Sequence, residues 1–338
     1  MKVSIKNNRI IPELLAGHFS RRFRKAHAEY TPFPSHLDIE VTNACNLRCI
    51  MCPREQMCRK IQHMDESLFE KIGRELGQNI NHLDRVSLHL YGEPLLHPGI
   101  FRMVSALKEF GVPHVEFSTN CTLLDAERSA ALIRSGLDEV IFAIDGATQE
   151  TYSRVRVSGE FSSIVENVKQ FLLIRERMGV SRPRVRLQII VMSETQSEIK
   201  QFKAGWKPFL KDGDSFYIKR LSFNEFNREL VCDKRIGATF RVPCSLFPYT
   251  NMTILADGRV TVCCYDWNAE VVVGNASEQS LTEIWHSTAM KSFCKAHHDV
   301  DFSKYALCDR CEWTTKHCEL EPTRFWGYLT SLIKGNKS

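Results

Sequence analysis

No stretch of this 338-residue chain approaches eighteen consecutive apolar residues, so no segment is long enough to span a bilayer as a helix. The first twenty residues lack both a sustained apolar core and a small-residue cleavage site, so no secretory signal is expected. A dominant charge is also missing: 45 basic against 40 acidic residues leave a net +5 and no strongly basic stripe. That balance argues against nucleic acid as a partner and tolerates an anionic substrate. Low-complexity tracts are absent, and no repeat is visible beyond short β/α units. The length suits one large α/β domain, or a large domain followed by a small one.

Cysteine, by contrast, is plentiful at thirteen residues. Without export a disulfide framework is not expected, and clustered cysteines read as metal ligands or catalytic thiols in a reducing, cytoplasmic compartment. Cys45, Cys49 and Cys52 follow the strand-like run Leu37–Thr42 with the spacing C-x3-C-x2-C. On a loop, three thiolates so spaced converge on one face of an iron–sulfur cube. A [4Fe–4S] cluster normally takes four cysteines, so one iron is left open to hold a substrate or cofactor. A zinc site is the competing reading, although zinc sites usually pair C-x2-C units.

From Leu37 the pattern alternates between strand and helix. Strands are predicted over Leu37–Thr42, Arg85–Tyr91, His114–Thr119, Glu139–Ile144, Arg184–Val191 and Ser215–Leu221. Helices are predicted over Asp65–Gly77, Pro98–Phe110, Asp125–Ser135, Phe161–Met178 and Gln196–Leu210, with Asp65 as an N-cap and Gly111 and Gly136 as stops. Such repeats imply a parallel sheet with helices outside and a curved or barrel-like closure. After about residue 225 the alternation ends. Met252–Leu255 and Val260–Cys264 around Asp257-Gly258 read as a hairpin, followed by Val271–Val273, a helix around Leu281–Ala296 and a cysteine-rich stretch.

The cysteine loop, taken with Tyr91-Gly92-Glu93-Pro94 after the second strand, resembles the radical S-adenosylmethionine (radical SAM) superfamily. Two departures are visible: Met51 stands where an aromatic often precedes the third cysteine, and Tyr91 replaces the first glycine of a Gly-Gly-Glu-Pro run. The resemblance implies a partial (β/α)6 TIM-like barrel over residues 36–225, with its site at the carboxyl ends of the strands. It also implies that Gly92, Glu93, Ser118 and Asn120 hold S-adenosylmethionine, and that Arg156 pairs with that cofactor's carboxylate. Asn120 as a simple turn former and Arg156 as a solvent-facing side chain are the plainer alternatives. Further on, Cys244, Gly258-x4-Cys263 and Cys308-x2-Cys311 resemble the SPASM and twitch modules that follow radical SAM barrels, here a small α+β module over residues 240–320. Only Cys318 follows Cys311, whereas the full module has seven cysteines. One auxiliary [4Fe–4S] cluster on Cys244, Cys263, Cys308 and Cys311 is therefore implied, with Cys264 or Cys318 as substitute ligands and a structural zinc as the alternative.

Three functions compete. The first is redox modification, such as dehydrogenation, of a small carbohydrate, polyol or aminocyclitol, with the auxiliary cluster taking an electron. The second is a peptide or protein maturase, including an epimerase in which Cys232 donates a hydrogen atom. Many peptide maturases carry a leader-binding domain of some eighty residues, and only 44 residues precede Cys45 here, which counts against it. The third is a non-enzymatic iron–sulfur sensor. Either enzyme requires a reductant such as flavodoxin or ferredoxin. The basic amphipathic segment Ile11–Tyr30, within an N-terminal extension 1–35, and the tail 321–338 suit either a peripheral membrane or partner contact or simple packing on the barrel.

Overall fold

The computed structural model describes residues 31–157, 159–221, 228–230, 238–244 and 249–318. Cys232, the amphipathic segment 11–30 and the tail 321–338 lie outside them. The chain divides into two compact units. One comprises Tyr30–Cys232 with Leu246–Cys294; the other comprises Met1–Glu29, Asp233–Ser245 and Lys295–Ser338.

In the larger unit six parallel strands lie side by side in chain order: β1 (His36–Ile39), β2 (Arg85–Ser87), β3 (Val115–Thr119), β4 (Glu139–Ala143), β5 (Arg184–Val191) and β6 (Ser215–Arg220). Helices α1 (Glu66–Gln78), α2 (Ile100–Glu109), α3 (Ala126–Arg134), α4 (Gln149–Val155), α5 (Phe161–Arg177) and α6 (Ile199–Trp206) connect them. Asp65 caps α1 by accepting the Ser67 N–H at 2.8 Å, and Asp125 caps α3 by accepting that of Arg128 at 2.8 Å. Gly111 and Gly136 stop α2 and α3 at φ +87° and +84°, where a side chain would be strained. Helix α1 buries Phe69, Ile72, Gly73 and Leu76, one helical stripe turned to the sheet.

Parallel sheets covered on both faces usually read as continuous apolar runs. These strands instead alternate. Val86, Leu88, Val115, Phe117, Val140, Phe142, Val185, Leu187 and Ile189 are fully buried, while Asp38, Ser87, Glu116, Ser118, Gln188 and Lys219 occupy the intervening positions. One face is therefore hydrophobic core and the other largely polar, with Ile141 and Ala143 of β4 as its apolar exceptions. On that polar side burial raises the Asp38 carboxyl to a pKa of about 6 and lowers the His89 imidazole to about 4, so His89 is neutral near pH 7.

The sheet does not end with the sixth parallel strand. While β7 (Ala238–Arg241) belongs to the smaller unit, β8 (Asn251–Ile254), β9 (Arg259–Thr261) and β10 (Val272–Asn275) extend the main sheet from the other edge, with β8 parallel to β1. The expected Asp257-Gly258 hairpin is present between β8 and β9, and Gly258 has φ +86°. The helix predicted over Leu281–Ala296 is two helices, α7 (Leu281–Trp285) and α8 (Thr288–Asp299). Ser287 restarts it by accepting the Met290 N–H at 3.1 Å. In the smaller unit β7 pairs antiparallel with β11 (Thr315–Cys318), and α9 (Ala306–Asp309) precedes that strand.

A buried ion pair ties β1 to the loops beyond β8 and β9. Arg59 donates to both oxygens of Glu40 at 2.7 and 2.8 Å and to the Trp267 carbonyl at 2.6 Å, while Glu40 also takes the Ala256 N–H at 3.2 Å. Breaking such a pair leaves an uncompensated buried charge. Arg59→Met is expected to cost about 3–5 kcal/mol in a urea denaturation series, and adding Glu40→Gln to recover much of that loss. Equal midpoints for the wild type and Arg59→Met would show that the pair contributes nothing.

Candidate active site

The cysteine loop leaves β1 and is anchored before the first thiol is reached. Asn43 donates to the Lys60 carbonyl at 2.8 Å and accepts the Gln62 N–H at 2.7 Å, fixing the loop's entry. The Arg54 guanidinium holds the carbonyls of Cys45 and Leu47 at 3.1 and 3.2 Å, and the Cys52 N–H closes a turn on the Cys49 carbonyl at 3.0 Å. Leu47, Cys49 and Met51 pack with Val155 and Met192, so Met51 serves as an apolar wall where an aromatic was expected. All three thiols line one cavity.

The donor chemistry of these thiols fits an iron–sulfur cluster. Cys45 accepts from the Leu47 N–H and Cys52 from the Arg54 N–H. Two further cysteines show the same two-residue offset: Cys263 accepts from Tyr265 N–H at 3.3 Å, and Cys311 from Trp313 N–H at 3.4 Å. Backbone N–H groups aimed at cluster sulfurs stabilise the charge they carry. Burial pushes the metal-free Cys52 thiol up to about 11, so cluster binding must displace its proton.

Around the thiols stand the ends of β2, β3 and β4. A Cβ on Gly92 would lie 2.1 Å from the Thr42 carbonyl oxygen and 2.8 Å from that of Ala44, so only glycine lets this loop meet the cysteine loop. Next to it the Glu93 N–H bonds the Ala44 carbonyl at 2.8 Å. The Glu93 carboxylate takes the Thr119 hydroxyl and the Asn120 N–H, each at 2.7 Å, and the Leu95 N–H at 3.1 Å. Asn120 donates to Asn46 at 2.9 Å, bringing the end of β3 onto the cysteine loop. Ser118 lines the same cavity.

Arg156 is also here, buried, with its guanidinium on Cys49 Sγ at 3.3 Å and on Asp145. Gly92, Glu93, Ser118, Asn120 and Arg156 are thus all gathered around the three thiols. The sequence places Thr119 and Asp145 at strand ends without giving either a role of its own, and it gives no sign of His89, Gln188 or Lys219 as site residues. Nor does it show that the Tyr91 hydroxyl donates to the Cys264 carbonyl. The polar alternation Arg85-Val86-Ser87-Leu88-His89 was the available signal for the inner wall.

In the smaller unit Cys244 follows β7, and its N–H donates to His297 Nδ1 at 3.2 Å. The Val242 N–H bonds the Thr314 carbonyl at 2.9 Å, which brings that strand beside the Cys308–Cys311 turn. The Thr314 hydroxyl holds that turn through the carbonyls of Cys308 and Cys311. Cys263 lies in the larger unit, just beyond β9, and the Cys318 side chain falls outside the described residues.

Two family models match the chain: the radical SAM superfamily over residues 39–202 and SPASM, an iron–sulfur cluster-binding domain, over residues 244–312. The chain is 26% identical over 298 residues to the tungsten-containing aldehyde ferredoxin oxidoreductase cofactor-modifying protein of Pyrococcus furiosus, covering 75% of this chain and 81% of the relative. It is 23% identical over 280 residues to the S-adenosyl-L-methionine-dependent 2-deoxy-scyllo-inosamine dehydrogenase of Niallia circulans, covering 82% and 92%. In fold it is similar to BtrN in complex with AdoMet and 2-DOIA, with TM-score 0.53, 19% identity and coverage of 84% of this chain and 94% of that one. It is similar also to Streptococcus suis SuiB bound to its precursor peptide SuiA, with TM-score 0.62, 16% identity and coverage of 93% and 76%. Among the described residues no helix is long and apolar enough to cross a membrane. Three thiols around one cavity, the matched domains and the shared fold lead to one conclusion: this chain belongs to the radical SAM superfamily, an enzyme that uses a [4Fe–4S] cluster and S-adenosylmethionine and carries a C-terminal SPASM domain for auxiliary iron–sulfur binding.

Proposed function

We propose that this radical SAM enzyme oxidises a small hydroxylated substrate of the carbohydrate, polyol or aminocyclitol type, with one auxiliary [4Fe–4S] cluster as electron acceptor. The observation that carries the reading is the polarity of the cavity wall beyond the thiols. His89, Ser118, buried Gln188 and solvent-exposed Lys219 line it, and the Gln188 side chain makes no hydrogen bond among the described residues. Polar groups left without protein partners in a cavity favour a ligand that supplies hydroxyls or amines. The dehydrogenase named among the relatives supports the same substrate class.

In this reading Cys45, Cys49 and Cys52 hold the reactive cluster, and Gly92, Glu93, Ser118 and Asn120 seat S-adenosylmethionine beside it. When bound and reduced, that pair supplies a 5′-deoxyadenosyl radical able to take a hydrogen atom from an unactivated C–H bond. Leu47, Met51 and Ile190 keep the thiol side of the cavity apolar. His89, fixed by Ser87 at 2.9 Å and uncharged near pH 7, can accept a hydrogen bond from a substrate hydroxyl. Cys244, Cys308 and Cys311 of the smaller unit serve as auxiliary ligands in this reading. Full ligation suits electron transfer rather than substrate binding. Electrons enter from a low-potential donor such as flavodoxin or ferredoxin in a reducing cytoplasm.

A peptide-modifying role is the second reading, favoured by the fold shared with SuiB over 93% of this chain. Carbinol-deuterated aminocyclitols and polyols, and α-deuterated peptides, separate the two when supplied with S-adenosylmethionine and dithionite. Deuterium is expected in 5′-deoxyadenosine from the former set; transfer from peptides alone overturns the small-molecule reading.

The ligand sets make their own forecasts. Anaerobic reconstitution is expected to give about eight irons per chain, whereas about twelve means a second auxiliary cluster. Replacing Cys45, Cys49 and Cys52 together by alanine is expected to leave about four irons and no 5′-deoxyadenosine. Gly92→Ala forces two loops apart, and its reactive cluster is expected to load poorly when followed by iron content and absorbance. Normal loading would show that the contact tolerates a methyl group.

A further inference from the structure

The centre of the cysteine loop is stapled to the end of α4. The Arg48 N–H donates to the Val157 carbonyl at 3.3 Å, and the Ile50 N–H to the Val155 carbonyl at 3.1 Å. These two bonds lie on either side of Cys49 and Arg156 along the chain, and they hold the cysteine loop against the last residue of α4 and the turn after it. The side chains follow the backbone: Arg156 Nη1 donates to Cys49 Sγ at 3.3 Å, and Nη2 donates to Asp145 Oδ2. Asp145 is wholly buried, sits at φ +57° just beyond β4, and takes the Ile190 N–H on its other oxygen at 2.6 Å. Both terminal nitrogens of the guanidinium are thereby engaged, and its Nε has no partner among the described residues.

Family resemblance gives this arginine to the carboxylate of S-adenosylmethionine. We propose instead that Arg156 is the charge partner of the reactive cluster through Cys49, that Asp145 is the positioning residue that keeps it there, and that the pair sets how readily this cluster is reduced. The proposal rests on Cys45, Cys49 and Cys52 being the reactive cluster's ligands. A guanidinium N–H on a thiolate is a charge-assisted bond, strengthened in a buried setting. A reduced cluster carries one more electron than an oxidised one, so a cation on a ligand sulfur stabilises the reduced form. Asp145 opposes part of that charge. Lysine keeps the charge but not the fork that reaches two partners at once. The two backbone bonds bring the Cys49 and Arg156 backbones close together, and the guanidinium completes the contact.

The test is a redox titration of the anaerobically reconstituted full-length enzyme, followed by electron paramagnetic resonance. The reactive cluster is the one whose signal responds to S-adenosylmethionine, and affinity for that cofactor is measured separately by equilibrium binding. Asp145→Asn, which leaves the arginine's charge unopposed, is expected to raise the midpoint. Asp145→Asn combined with Arg156→Gln removes both charges while keeping polar shape. It is expected to fall below the single variant by about tenfold in the reduced-to-oxidised ratio at a fixed potential, about 59 mV for one electron. Arg156→Lys is expected to stay nearest the wild type, with cofactor affinity unchanged throughout. Loss of iron from Arg156→Gln alone, with retention in Arg156→Lys, also supports the proposal, because charge and not volume then holds the cluster. Equal midpoints across the series overturn it. So does a large fall in cofactor affinity at constant midpoint, which returns Arg156 to the cofactor's carboxylate. Persistence of the cofactor-responsive signal in the triple cysteine variant overturns instead the ligand assignment beneath it.

Discussion

The Glu93 carboxylate is where the strand ends of this site are tied together. It is 2% exposed and takes three donors, two of them from the end of β3, while its own N–H grips the cysteine loop at Ala44. Three thiols can share one cluster only if their loop is held to within a fraction of an ångström. A loop cannot do that alone, because it has few hydrogen bonds of its own. Here Gly92 permits the approach, Glu93 fastens it, and the Asn120–Asn46 bond closes the far side. The residues that seat the cofactor in the proposed mechanism therefore also shape the metal site. Altering any one of them disturbs both.

The second governing constraint is the two-faced sheet. Its outer face is ordinary core, with Val86, Phe117, Phe142 and Leu187 fully buried beneath helices. Its inner face spends buried positions on Ser87, Glu116 and Gln188, which contribute little to stability and demand partners. Polar residues retained at such positions are best explained by a ligand that uses them.

Patterns confined to a short stretch of chain were legible. The cysteine spacing, the Gly92-Glu93 pair, Asn120 at a strand end, and the Asp65, Gly111 and Gly136 helix punctuation each depend on neighbours in sequence, and each takes the expected place in the fold. The partners were not legible. Arg156 could be matched to a motif position, but its contacts with Asp145 and Cys49 depend on how α4 returns to the cysteine loop. Tyr91 looked like a lost glycine until its hydroxyl was found on the Cys264 carbonyl. The split of the predicted 281–296 helix turned on Ser287, a capping residue whose effect depends on packing around Trp285 and Met290. The hairpin after residue 250 was read correctly as a hairpin, yet nothing local said which sheet edge it would join.

That last placement has a consequence in time. Strand β8 lies beside β1, the strand that delivers the cysteine loop, yet it is synthesised after every element of the parallel sheet. Until it arrives, β1 presents an open edge, and Glu40 and Arg59 lack Ala256 and Trp267. Pairings between residues so distant in sequence form late and slowly. The cysteine loop thus leaves the ribosome about two hundred residues before the strand that closes the edge beside it.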